Sequence, residues 1–464
     1  MLTAEKTELL QSFLGSLPGQ IAARLAKAVE VDRLVDGAAL PHDLILDGLR
    51  PTLRGAQAQP RTPTPLRLFC RPFEDLLING PRNDKQKGRI ARSSIVPIWA
   101  WLQALIPEEW NSYRAGIKEL VLAYKMDDAL ACACKFWPLA GQAMSTAIAN
   151  NPKGVRTALN GELAMGDAED IARMLCAGTA MMEIQQLLPK PAPALTDDLL
   201  WSLRGIYDGV VETAVDSAPY VPVVVMGRLA KPWEALKLAL MISHQTQDTL
   251  IASTDMGLVG DILFSRMEDA RIAIHATRQS GFDAVTLLEN LKFFTDISSA
   301  IVKEVEILRR GKWGKRLLGD RAAVGAVMDG FMERAPKEIA AALPSQKTGY
   351  SGSGRMPDFT KKADPEKIER ALRYAKLLAG CRSLAVPGSF GAKHAKAVDE
   401  ATLVMRSYNE DLVKELRSAE GARRENVERQ FQLCTELTGM VFSEEEAEFL
   451  RRRGKAAIAK QSAA

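Results

Sequence analysis

The side chains with the clearest chemical potential are six cations within 13 residues: Arg309, Arg310, Lys312, Lys315, Arg316 and Arg321. Trp313 lies among them, and Asp320 is the one acid in that stretch. Clustered cations neutralise phosphates, and an exposed aromatic stacks a base, so the pattern suits nucleic acid. It equally suits an acidic lipid surface or an acidic protein partner. A bland alternative is as concrete. The apolar spacing before the cluster predicts a helix from about Asp283 to Gly311, which places Arg309 and Arg310 in its last turn. Cations there complement the helix dipole, each by roughly 0.3–1 kcal/mol. Trp313 then docks into the core.

Two further basic runs carry less. Arg451, Arg452, Arg453, Lys455 and Lys460 follow Glu444, Glu445, Glu446 and Glu448, the charge order that one short helix ending near Gly454 favours. Arg82, Lys85, Lys87, Arg89 and Arg92, set against Asp84, read as an exposed loop entering a helix. Within it, Arg89-x-x-Arg92-Ser93 matches a basophilic kinase site, a common chance match.

Catalytic and metal-binding patterns are sparse. The four histidines are His42, His244, His275 and His394, and no Glu stands three residues before any of them, as a helical di-metal site would have it. His42-Asp43 lacks the upstream histidine of a metal-dependent phosphohydrolase and reads as a helix-start dipeptide. His244 and His275 read as satisfied structural histidines. Asp127 and Asp128 begin like a magnesium-binding aspartate motif, but position 131 is alanine, which leaves a solvated helix edge. Cys132 and Cys134 would sit about 200° apart on a helix and cannot face one metal. Gly349 to Gly354 has its glycines out of place for a nucleophile elbow, and no phosphate-loop signature occurs. Gly388-Ser389-Phe390-Gly391, leading to Lys393 and Lys396, offers either a weak anion site or a tight turn into a helix, and the turn is the simpler reading. The sequence implies no cofactor and no metal.

The elements that must position these residues are helical. Apolar residues recur at three- and four-residue spacing in Val285, Leu288, Leu291, Phe294, Ile297, Ile301, Val305 and Leu308. They recur again in Val398, Ala401, Met405, Tyr408, Leu412, Leu416 and Ala419, among charged neighbours that suggest a hairpin or a short coiled coil. The one β-branched run, Val221 to Met226, reads as helical, with Pro222 in the first turn. Asp167, Thr196, Asp364 and Ser443 mark helix starts. Trp99, Trp101 and Trp110 lie in one stretch, while Trp137 and Trp233 adjoin prolines at expected helix boundaries, as packing anchors do. The expected fold is all-α: a multi-helical stack of antiparallel helices with a long C-terminal helical element.

Polar, Pro- and Gly-rich stretches at Gly55–Pro65, Pro189–Leu195 and Pro344–Pro365 divide the chain. The expected pieces are a small N-terminal helical region (1–60), a central multi-helical domain (66–343), a linker (344–364) and a C-terminal helical unit (365–464). With 464 residues, 47% hydrophobic and 25% charged, the chain has the material for a sizeable core, which excludes disorder as its main state. The net charge of +4 is a weak bias and argues against a protein that coats nucleic acid along its whole length. No signal-peptide pattern and no run of 18 apolar residues occurs, so the expected location is the cytoplasm, with the six cysteines reduced. The leading functional expectation is a non-enzymatic adaptor, scaffold or regulator that binds another macromolecule, a protein first of all, through helical surfaces. The second is a binder of nucleic acid or acidic lipid through Arg309 to Arg321. The third is a helical enzyme with a pocket that no motif reveals.

Overall fold

Helices carry nearly all of the order. The computed structural model describes residues 4–33, 40–55, 62–79, 85, 86, 88–277, 281–347 and 355–462. The helices are α1 (Ala4–Gly15), α2 (Gly19–Asp32), α3 (His42–Gly55), α4 (Pro65–Cys70), α5 (Arg92–Leu105), α6 (Pro107–Leu122) and α7 (Met126–Asn150). Next come α8 (Pro152–Ala158), α9 (Glu162–Cys176), α10 (Gly178–Leu187), α11 (Asp197–Thr213), α12 (Tyr220–Arg228), α13 (Ala235–Ser243) and α14 (Asp248–Ala252). The last are α15 (Gly257–Ala276), α16 (Ala284–Glu304), α17 (Lys312–Ala342), α18 (Pro365–Gly380), α19 (Gly391–Glu415), α20 (Gly421–Val441) and α21 (Glu444–Ser462). Among the described residues, sheet is limited to a two-residue parallel pair, Leu77–Ile78 with Ile90–Ala91, and a short antiparallel pair, Ser345–Lys347 with Arg355–Pro357. The all-α class expected from periodicity is the class observed.

The chain forms two compact units. The first holds residues 1–243 and 255–259. Its N-terminal helices close over Leu14, Ala22, Ala26 and Leu49. Further along, Tyr113 stacks on Phe136 with centroids 4.1 Å apart, and Trp99 packs between Phe69 and Trp110. Trp137 donates its indole N–H to the Leu68 carbonyl at 3.0 Å and lies inside α7, not at a boundary, because α7 continues through Pro138. Trp233 does sit at a boundary, in a 3-10 turn before α13.

The second unit holds residues 244–254 and 260–464. Its central helix is α17, which packs against α18 and α19. Inside the second unit, Arg382 donates to the Met440, Val441 and Phe442 carbonyls at 3.0, 2.8 and 2.6 Å and so closes the C-terminus of α20. His394 is buried with Nε2 2.8 Å from the Leu378 carbonyl, near the end of α18.

Side-chain caps stand at four of the expected helix starts. Thr196 accepts from the Leu199 N–H, Asp283 from Thr286, Asp364 from Glu366 and Ser443 from Glu446. Two expectations fail. Asp167 does not start a helix: α9 begins at Glu162, and Asp167 is fully buried within it. Gly454 does not end α21, which runs on to Ser462. A Cβ on Gly454 would stand 2.2 Å from Phe431 Cζ, so this glycine permits close packing.

Candidate functional site

The helix expected to end at Gly311 ends instead at Glu304. Val305 is extended, with φ −122° and ψ 135°. The segment after it pairs with 246–248: the Glu306 N–H donates to Thr246 at 2.9 Å, and the Asp248 N–H donates to Glu306 at 3.2 Å. Buried Asp248 then accepts the Leu308 N–H at 3.3 Å through Oδ1. Its other oxygen lies where Gly311 passes, and a Cβ there would come within 2.5 Å. These nonlocal bonds draw 305–308 out of helix and hand the chain to α17, with Gly311 at the N-cap.

The consequence is electrostatic. The cations sit at the N-terminus of a 31-residue helix, not at a C-terminus. The dipole there is positive, so each cation is disfavoured by roughly 0.3–1 kcal/mol instead of being stabilised. Helix compensation therefore does not account for Arg309, Arg310, Lys312 and Lys315. All four are exposed. Lys312 reaches Asp261 at 3.6 Å, an exposed pair of little energetic weight. No hydrogen bond or ion pair engages the side chains of Arg309, Arg310 or Lys315 among the described residues.

The remaining members of the cluster face inward. Trp313 is 2% exposed, against Phe264 with centroids 5.8 Å apart. A Cβ on Gly260 would fall 1.9 Å from Trp313 Cζ2, so the indole lies directly on the α15 backbone. It cannot stack a base. Arg316 lies over the Phe264 ring at 5.2 Å. Nearby, Arg271 donates to Glu268 at 2.8 Å and stands 3.5 Å from Asp320. The Arg271 hydrogen bond holds the Glu268 carboxyl below its usual range, while burial pushes Asp320 up. Arg321 donates to the Pro387 carbonyl at 3.0 Å and is a structural tie. The structure thus separates an exposed set (Arg309, Arg310, Lys312, Lys315) from an inward set (Trp313, Arg316, Arg321).

In the other basic runs, several cations are engaged internally. Arg451 pairs with Glu444 at 2.8 Å and Glu448 at 3.0 Å, Arg452 with Glu448 at 3.5 Å, and Arg453 lies over Phe449. The side chain of Lys460 lies outside the described residues, as do Arg82, Asp84 and Lys87. Lys393 pairs with Glu333 at 2.8 Å and Lys396 with Glu400 at 3.7 Å, so the 388–391 segment is a turn, with Ser389 at φ 66°. His42 pairs with Asp32 at 2.9 Å, whereas His244 and His275 are exposed rather than packed into the core. Asp127 and Asp128 form the exposed first turn of α7.

One polar cluster escaped the sequence reading. Lys85, placed there in an exposed loop, inserts between Asp167 and Asp170 on α9, at 2.6 Å from each. Its ammonium also donates to the Arg89 carbonyl at 2.8 Å. Asp167 accepts the Ala91 N–H at 3.0 Å, and Asp170 accepts the Tyr220 hydroxyl at 2.6 Å. Burial and the Asp170 charge push the Tyr220 phenol well above its usual range, so it stays a donor. The three-residue spacing of the two aspartates was the available signal, since it puts both on one helix face. Chemically this is a closed, satisfied clamp that fixes Lys85 and residues 88–91 to α9.

An open cleft of about 590 Å³ in the first unit is bordered by Cys176, Thr179, Glu183, Ser202 and Thr213. Burial raises the Cys176 thiol, which leaves it protonated rather than nucleophilic. Among the described residues, no three His, Cys, Asp or Glu side chains are grouped to hold a metal ion. Among them, too, no helix is long and apolar enough to cross a membrane. Comparison with protein-family models, curated proteins and solved structures gives no match.

Proposed function

We propose that this all-α chain is a binding protein that docks an anionic polymer or surface through Arg309, Arg310, Lys312 and Lys315. One observation carries the reading: four exposed cations stand at a helix N-terminus, where the dipole opposes them, and three lack any internal partner among the described residues. Such an arrangement is disfavoured in the free protein and relieved by an anion. This is the second of the functional expectations drawn from the sequence, and it is distinct from the adaptor or scaffold role. The test is retention on immobilised heparin. Arg309→Glu, Arg310→Glu, Lys312→Glu and Lys315→Glu combined abolish retention on this account, while charge reversal at Arg451, Arg452 and Arg453 leaves most of it. Equal retention of both variants would remove the 309–315 patch from the function.

A further inference from the structure

We infer that the anion met by this patch is the headgroup layer of an acidic lipid bilayer. The inference rests on the anion-binding reading above and adds the identity of the partner. Two exposed leucines flank the exposed cations in sequence. Leu308, 45% exposed, immediately precedes Arg309 and Arg310, and Leu318, 49% exposed, stands one turn after Lys315. Along α17, spacings of three and four residues place Lys312, Lys315, Leu318, Gly319, Ala322 and Ala326 on one exposed face. Beyond Lys315 this face carries no charge until Asp329. A surface that is basic at one end and neutral or apolar along its length matches a helix lying in the headgroup region, its leucines entering the acyl boundary. The aromatic that a single-stranded nucleic acid would stack on is withdrawn, because Trp313 is buried. Acids at this end are few: Asp261 is paired with Lys312, Asp248 is buried, and Glu306 is exposed in the extended segment two residues before Leu308.

Each cation close to an acidic leaflet raises partitioning about fivefold, so four raise it several hundredfold. The experiment is sedimentation of the full chain with sucrose-loaded vesicles of phosphatidylcholine alone, or of equal parts phosphatidylcholine and phosphatidylglycerol. Heparin retention is measured on the same preparations. The wild type sediments with the acidic vesicles at least tenfold better than with the neutral ones. Leu308→Ser with Leu318→Ser loses most of that binding and keeps heparin retention, a combination that a purely electrostatic patch would not give. Both leucines are exposed, and an unchanged circular dichroism spectrum confirms the fold. Heparin retention without vesicle binding would overturn the lipid assignment and leave the anion-binding reading standing. Loss of neither in the leucine variant would overturn the insertion, and failure of the wild type in both assays would overturn both readings.

Discussion

Removing the Lys85 ammonium tests the clamp on α9 most severely. Lys85→Met keeps the length of the side chain and leaves two buried carboxylates facing each other without a cation. Asp167 is 0% exposed, and each aspartate touches the same ammonium at 2.6 Å. Stripping one partner from a buried ion pair costs about 3–5 kcal/mol. Two orphaned carboxylates argue for the upper end of that range. The Ala91 N–H and the Tyr220 hydroxyl remain as donors and argue for the lower, so the expected loss is about 4 kcal/mol. Neutralising the acids as well, with Asp167→Asn and Asp170→Asn, removes the repulsion and restores at least half of the loss, because a missing partner is worse than a missing pair. Urea unfolding followed by circular dichroism reads the global effect. Amide exchange of residues 88–95 reads it locally, which matters in a chain of two compact units. If Lys85→Met lies within about 0.5 kcal/mol of wild type, or the triple variant is the least stable of the set, the clamp does not hold the segment as described.

Three further outcomes follow from particular contacts. Gly260→Ala drives a methyl to 1.9 Å from Trp313 Cζ2 and lowers stability by about 3 kcal/mol, and Trp313→Leu in the same chain returns part of it, read by thermal unfolding. Burial pushes the Cys70 and Cys381 thiols up to about 12, so both resist iodoacetamide at mildly alkaline pH in the folded chain and react in urea, read by mass spectrometry. Glu268 is held below its reference value of 4.5 by the Arg271 hydrogen bond. A depressed carboxylate adds stability above the unfolded value and loses it as pH falls through the folded one. The melting-temperature gap between wild type and Glu268→Gln is therefore present at neutral pH and closes below 4.5.

How much of this was legible in the sequence depended on whether the deciding contact was local. The starts at Thr196, Asp283, Asp364 and Ser443 needed only a side chain two or three residues from the N–H it caps, and all four hold. The end of α16 was not legible. Val305 and Leu308 continue the three- and four-residue spacing, yet the bonds that end the helix come from residues 246–248, about sixty positions away. That displacement moved the cation cluster from one end of a helix to the start of the next and reversed the sign of the dipole argument. Asp167 misled for a related reason: an acid before an apolar run looks like a cap, and its partner Lys85 lies 82 residues upstream. In the cluster itself, the sequence held the cations and offered a core position for Trp313, but the contacts of the fold were needed to tie Arg321 inward and leave Arg309, Arg310, Lys312 and Lys315 outside.

The most direct measurement on the central claim is the salt dependence of binding to a fluorescein-labelled single-stranded oligonucleotide, used as a soluble polyanion, by fluorescence anisotropy. Four neutralised phosphates give a slope of log K against log salt of about −3, at roughly −0.7 per contact on a single strand. Replacing Arg309 and Arg310 by Ala removes two contacts and halves that slope. A slope that the substitutions leave unchanged, or binding that persists at high salt, would contradict an anion site built from these four side chains.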